Sequence, residues 1–217
     1  MSLKTLLIVT VLVLFFQQTF SQRNYEEYNR IGLTGGLTIF DINTSNLVTE
    51  PGYGFAGGFT TRGSFRNDFD LIYGISFTNN TIGIKGSSLT DTQFINYQIQ
   101  AAQITFLGSY NIVKHHLTLE FGPILNVNGK MKLDSDRYNN YILEGYELLR
   151  AQDIQDINRI NFHVTGGLTA GLKNFRISGM YQYGVTNMLG RLNDKNLENN
   201  DFVGHSSTIL VSAVLYF

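Results

Sequence analysis

The chain has 217 residues and no cysteine, which removes disulfides, thiolate metal sites and cysteine nucleophiles at once. With 16 basic and 17 acidic residues the formal net charge is −1, so there is no electrostatic footprint for nucleic acid. The 22 glycines, 12 tyrosines and 16 phenylalanines, set against 2 prolines, describe a β-rich chain with many close backbone approaches.

The N-terminus carries a secretory pattern. Lys4 precedes an apolar run from Leu6 to Phe16, and Thr19 and Ser21 are small residues at −3 and −1 of a cleavage site before Gln22. As a helix that run reaches roughly 18 Å at ~1.5 Å per residue, short of a hydrocarbon core of ~30 Å. The expectation is a cleaved signal peptide over 1–21 rather than an anchor, followed by a short periplasmic segment over 22–29. No later apolar stretch approaches the ~18 residues that a spanning helix needs, and 30–217 reads as one domain.

From residue 30 onward the apolar positions recur with period two, the signature of strands with one buried or lipid-facing side. The first strand, 30–41, sets Ile31, Leu33, Leu37 and Ile39 against Thr34 and Thr38. The second, 53–66, sets Tyr53, Phe55, Phe59 and Phe65 against Thr60, Arg62 and Ser64. The third, 69–79, has Phe69, Leu71, Tyr73, Ile75 and Phe77 opposite Asp70 and Ser76. The fourth, 97–110, is clear at Ile104, Phe106 and Tyr110 but weak near Gln98 and Gln100. In the fifth, 116–128, Leu117, Leu119, Phe121, Leu125 and Val127 alternate with Thr118, Glu120 and Asn126. The sixth, 159–172, and seventh, 175–187, alternate about Phe162, Val164 and Leu168 and about Phe175, Ile177 and Tyr181. The eighth runs through Ile209, Val211, Ala213 and Leu215 to Phe217, where the chain stops on an aromatic.

The connections define a topology. Asn67-Asp68, the stretch from Asn111 to His115 and Lys173-Asn174 are short, whereas 42–52, 80–96, 129–158 and 188–204 are long and polar. Strict alternation of short and long predicts an all-β fold: an eight-stranded antiparallel up-and-down transmembrane β-barrel with short periplasmic turns and long extracellular loops. A soluble β-sandwich or lipocalin would give the same period. Against it stand Arg62, Glu120 and Arg176 in mid-alternation, and aromatics gathered beside the turns. Phe65, Phe69, Tyr110, Phe175 and Phe217 would form an inner girdle, with Tyr53, Phe77 and Phe162 in an outer one. Phe217 would close the barrel by bringing the last strand against the first, which removes both edges.

The chain resembles the PorT-like outer-membrane β-barrel family typical of Bacteroidetes. The matching pieces are Phe121-Gly122-Pro123, Gly166-Gly167, Gly184-Val185-Thr186-Asn187-Met188 and the closing Leu215-Tyr216-Phe217, with Phe20-Ser21-Gln22 at the signal. The resemblance covers 31–217 and departs at Ala101-Ala102, where the family often has Pro-Leu. It implies an eight-stranded barrel and, for a few relatives, service in protein secretion through the type IX system; most relatives have no assigned role.

By parity Arg62, Arg66, Asp70, Gln103, Glu120, His163, Arg176 and Gln182 point inward. Side chains fill the interior of an eight-stranded barrel, so the expectation is a polar plug in the lumen, with Arg62 and Arg176 paired to Glu120 and Asp70. Arg62 and Glu120 lie at similar heights and should meet across the interior, with Arg176 or Gln103 satisfying the remaining acceptor positions of Glu120. A selective pore or proton path is the functional alternative. His163, His205, Ser206 and Asp201 contain the ingredients of an envelope hydrolase, but a triad is defined by geometry, which spacing does not supply. No spacing suggests a metal site, and no catalytic or cofactor-binding residue is assigned. In the 129–158 loop Tyr138, Tyr141, Ile142, Tyr146 and Leu149 recur at helical spacing, which suggests a short helix or hairpin over the mouth, or a contact for another molecule.

The functional expectation is a non-enzymatic barrel integral to the bacterial outer membrane, with a structural, adhesion or envelope-interaction role, accessory secretion being one form of it. A narrow channel for small solutes is the alternative, and a hydrolase a distant third. The expected partners are outer-membrane lipid, the barrel assembly machinery and an envelope or secretion protein reached through the 129–158 loop.

Overall fold

The computed structural model describes residues 28–66 and 68–217. The expected signal peptide, its cleavage site before Gln22, most of 22–29 and Asn67 of the first turn lie outside the described residues.

Among the described residues nine strands form one antiparallel sheet: β1 (Asn29–Asn43), β2 (Thr49–Arg66), β3 (Phe69–Ser87), β4 (Thr92–Val113), β5 (Leu117–Leu133), β6 (Ile142–Leu143), β7 (Ile160–Gly171), β8 (Phe175–Gly184) and β9 (His205–Tyr216). Each long strand pairs with its sequence neighbours, β5 pairs directly with β7, and β2 pairs with both β1 and β3. Because β1 also pairs with β9, the sheet returns on itself, from Gly32 opposite Tyr216 to Asn43 opposite His205. The Phe217 amide donates to the Ile31 carbonyl at 2.9 Å and extends that seam by one residue. Only the two-residue β6 stands outside the closed set, laid against Gly86 and Ser87 of β3.

The outward face is apolar. Ile75, Phe106, Phe121, Leu168 and Val211 are all about half exposed, and they belong to a belt that runs round the whole sheet. A continuous belt of that size far exceeds the few hundred Å² of apolar patch on a soluble monomer, so it is the face in contact with lipid. Among the described residues no helix is long and apolar enough to cross a membrane. The strands cross instead.

Several loop boundaries differ from the sequence reading. The segment 80–96 is not a loop: β3 and β4 continue through it as a paired hairpin and leave 88–91 as the turn. The connection expected at 42–52 shrinks to 44–48 in the same way. The reason is a change of solvent. β4 has 22 residues, about twice the ~9–11 that cross a bilayer, so its outer half stands in water. There the preference of each face inverts. Gln98 and Gln100 take the exposed side, while Ile95, Tyr97 and Ile99 are buried inside. Ile82 and Ile84 of β3 do the same.

β5 reaches that outer level through a bulge. Its pairing with β4 slips between Ala101 opposite Asn128 and Ile99 opposite Met131, so two residues, Gly129 and Lys130, oppose Gln100 alone. The extra residue reverses the parity and aims Met131 inward, where it is fully buried. A second register shift, between Ser64 and Arg66, leaves Arg66 exposed rather than in the lumen where parity placed it.

Candidate functional site

The interior has three levels. At the level of the short turns, β2, β3, β4 and β5 converge on Arg62, whose residue is only 3% exposed. Its Nη1 donates to Asp70 Oδ2 and to Ser109 Oγ, both at 3.0 Å, and its Nη2 donates to Glu120 Oε1. Nε reaches the Tyr216 hydroxyl at 3.5 Å. Strands β2 and β5 are not sheet neighbours, so the Arg62–Glu120 contact crosses the interior. Glu120 Oε1 also accepts from Thr118 Oγ1 at 3.0 Å and Ser109 Oγ at 3.5 Å. Tyr28 donates its hydroxyl to Asp70 Oδ2 at 2.6 Å.

The expected arrangement is modified in two respects. Thr118 and Ser109, not Arg176 or Gln103, take the remaining positions on Glu120. Arg62 bridges both carboxylates, and Arg176 pairs with neither. Arg176 Nη2 donates to Thr118 Oγ1 at 3.3 Å and Nη1 to the His115 carbonyl at 3.3 Å, so it touches Glu120 only through the threonine. Two guanidinium groups and two carboxylates nevertheless share one buried region, and their formal charges cancel. That is the condition under which charges survive burial.

The middle level is mixed. Gln103 Nε2 donates to Gln182 Oε1 at 3.3 Å, and Ser178 and Ser212 share a hydrogen bond of 2.7 Å across β8 and β9. Ile72, Leu107 and Met180 form a small apolar cluster at this height. Between these groups lies a cavity of about 110 Å³, room for a few waters at ~30 Å³ each. Higher up, His163 Nε2 lies 3.3 Å from Ser206 Oγ, and both residues are buried. His163 Nδ1 has no partner among the described residues. His205 instead bonds the Gly184 carbonyl and stacks on Tyr183, and Asp201 is tied through its backbone to Asn46 and Asn199. Among the described residues no acid meets the imidazole as the third member of a triad would. No cluster of His, Asp and Glu among the described residues could hold a metal ion.

The outer level was not visible as a site in the sequence. Buried apolar residues of β1, β3, β4 and β5 meet Tyr138, Leu143, Leu149, Ala151, Ile154 and Ile157 from the 134–159 connection. Met188, Leu189, Leu192 and Phe202 from 185–204 complete this one continuous core. The helical spacing in the first connection does not produce an α-helix. Its residues form short 3-10 turns at Asp136–Tyr138 and Ala151–Ile154 and the strand β6. Polar ties hold the lid down. Tyr97 donates its hydroxyl to the Ala151 carbonyl at 3.0 Å, and Tyr146 donates to the Asn46 carbonyl at 2.9 Å. The Glu198 carboxylate accepts the successive amides of Glu147, Leu148 and Leu149, the shortest at 2.7 Å. Those amides, that of Glu147 foremost, hold the carboxyl below the ordinary range. The one signal that could have found this core was the inward parity of Ile82, Ile84, Ile95, Tyr97 and Ile99.

A closed antiparallel sheet with a lipid-facing belt and a filled interior is a membrane β-barrel. The chain belongs to the outer membrane protein beta-barrel domain family, whose model matches residues 16–190, and it is integral to the outer membrane. Among solved structures it is similar to Neisserial surface protein A, at 10% identity, over 86% of this chain and 97% of that one, with a TM-score of 0.51. Ail of Yersinia pestis is also similar, at 16% identity over 87% of this chain and 99% of that one, with a TM-score of 0.47. So is OprG of Pseudomonas aeruginosa, at 11% identity over 88% and 97%, with a TM-score of 0.48. The first of these shares the fold. A search of curated protein sequences finds no match.

Proposed function

We propose that the eight long strands form an eight-stranded up-and-down barrel of the PorT-like kind, with short turns in the periplasm and 134–159 and 185–204 outside. In this reading it serves as a non-conducting envelope anchor with a structural, adhesion or interaction role. The observation that carries the reading is the apolar closure of the outer mouth. A solute path needs a continuous polar lining, and here Ile82, Ile84, Ile95, Leu143, Ile154 and Phe202 join one apolar core with at most 1% exposure. Below them the Arg62 network plugs the lumen. Contact with an envelope or secretion partner falls to the rim, where Leu148 of the lid is 75% exposed. Insertion by the barrel assembly machinery would use the β1–β9 seam. Planar-bilayer recording of the purified barrel tests the reading: silence is expected, and steady ohmic steps under non-denaturing conditions would replace the anchor with a narrow channel.

A further inference from the structure

Among the cations of the outer rim, Arg137 is held by Tyr138 and Arg150 by Asn140, and the others fall into two groups. Lys85 is paired with Glu144, and Arg191 and Lys195 share Asp156. Lys130, Lys132 and Arg159 are exposed, and their side chains have no partner among the described residues. They are neighbours: the Asn128 amide donates to the Arg159 carbonyl at 2.7 Å, and on the same strand Lys130 lies in the bulge and Lys132 just beyond it. Directly beneath them the lipid-facing belt ends at Val127, Ile160 and Phe162. The outward neighbours on β4 at this height are the neutral Gln98 and Gln100, Asp134 lies further out along the strand, and Asp156, next to the Gln155 carbonyl that accepts the Met131 amide, is already taken by Arg191 and Lys195.

Height matters for what such a patch meets. Lys130 lies three residues beyond Val127, roughly 10 Å along a strand at ~3.3 Å per residue and about 7 Å vertically at a tilt of ~45°. The polar layer of a bilayer begins at the edge of the hydrocarbon and is roughly 5–7 Å deep. Flexible lysine stems placed there set their ammonium groups among headgroups. On the same scale Arg159 stands about 2 Å above the belt and Lys132 about 12 Å, so the three cations span that layer and Lys132 reaches it only by folding its stem back toward the membrane; uncompensated, they attract phosphate.

We propose that Lys130, Lys132 and Arg159 form a binding surface for the phosphates of an outer-leaflet glycolipid, seated with its acyl chains along Val127, Ile160 and Phe162. The surface is continuous with the lipid belt and complementary to the ligand in charge. It rests on the orientation proposed above, which cleavage of the 134–159 segment on intact cells reports independently.

The test uses the full barrel in nanodiscs, offered bisphosphorylated lipid A or the same lipid with both phosphates removed, with retention read by native mass spectrometry. The wild type should retain the phosphorylated form preferentially. Each single change, Lys130→Gln, Lys132→Gln or Arg159→Gln, should reduce that preference about fivefold, and the triple variant should abolish it, with heat-modifiable mobility unchanged. A variant of the paired cations, Lys85→Gln with Arg191→Gln, should keep the preference. Equal retention of both lipids by the wild type, an unaltered preference in the triple variant, or equal loss in the paired-cation variant would each overturn the proposal. So would displacement of the lipid by millimolar inorganic phosphate, which would mark a site for the free anion.

Discussion

Replacing Arg62 with methionine keeps most of the stem volume and removes the one group that bridges Asp70 and Glu120. Among the described residues Arg176 is then the cation left in the buried cluster with both carboxylates, and it reaches Glu120 through Thr118. Breaking one buried pair typically costs ~3–5 kcal/mol, and the loss of Arg62 should lie at the upper end because two partners are stranded. Glu120→Gln is milder. Its amide oxygen still accepts from Thr118 and Ser109, and Arg62 keeps Asp70, so the loss is that of a charged hydrogen bond, about 1.5–3 kcal/mol. Removing both partners should cost less than the sum by at least ~1.5 kcal/mol, well above the ~0.3–0.5 kcal/mol error of additivity. Urea unfolding of the four members of the cycle in lipid gives the coupling. Strict additivity would mean that the two charges are separated by water and that the lumen is open rather than filled.

Leu168→Arg places a cation on the lipid face and should cost about 2–4 kcal/mol in unfolding from lipid, while Gly167→Ala should destabilise by overpacking, since its added carbon would lie 2.1 Å from the Gly179 carbonyl. Equal effects of a charge at Leu168 and at inward Ser76 would refute the facing. Ile154→Ala, at a fully buried site, should cost ~2–5 kcal/mol locally and expose 134–159 to protease while the barrel keeps its heat-modifiable mobility; loss of the barrel with the loop still protected would contradict it. The Glu198 clamp has a depressed folded pKa, so its contribution is complete above the unfolded value and fades as pH falls through the folded one. Hydrogen exchange at the amides of 147–149 should therefore accelerate in acid relative to neighbouring amides, and Glu198→Gln should remove the extra acceleration.

The membrane-crossing part of the fold was legible because lipid on one side imposes a strict period of two, and Ile75, Phe121 and Leu168 obey it without interruption. Height above a turn was enough to bring Arg62 to Glu120. It was not enough to assign the rest of the network, because Ser109 and Thr118 are small hydroxyl residues with no sequence signature of burial. Parity also fails wherever the backbone slips. The shift beside Phe65 turned Arg66 outward, and the bulge at Gly129 and Lys130 turned Met131 inward. The segment 80–96 was misread for a different reason. Its apolar residues sit on the face that is polar lower down, so the outward apolar stripe breaks off at Gln98 and Gln100 although the strand continues.

That inversion also explains why the lid belongs to the folding unit. Within the bilayer the outward face must be apolar, which leaves polar groups for the interior, where they must satisfy one another. Beyond the bilayer water bathes the outside, and the apolar residues turn inward as in a soluble domain. A bare ring of strands would then hold Ile82, Ile84, Ile95 and Ile99 at an open, wet mouth. Burying each such side chain is worth about 1.5–3 kcal/mol, and the barrel alone cannot bury them. The connections 134–159 and 185–204 supply the missing wall through Ile154, Ile157, Leu189 and Phe202. Their buried faces are therefore closed to any partner, and the contact proposed above is left to residues that the lid keeps outside, Leu89 and Leu148 among them.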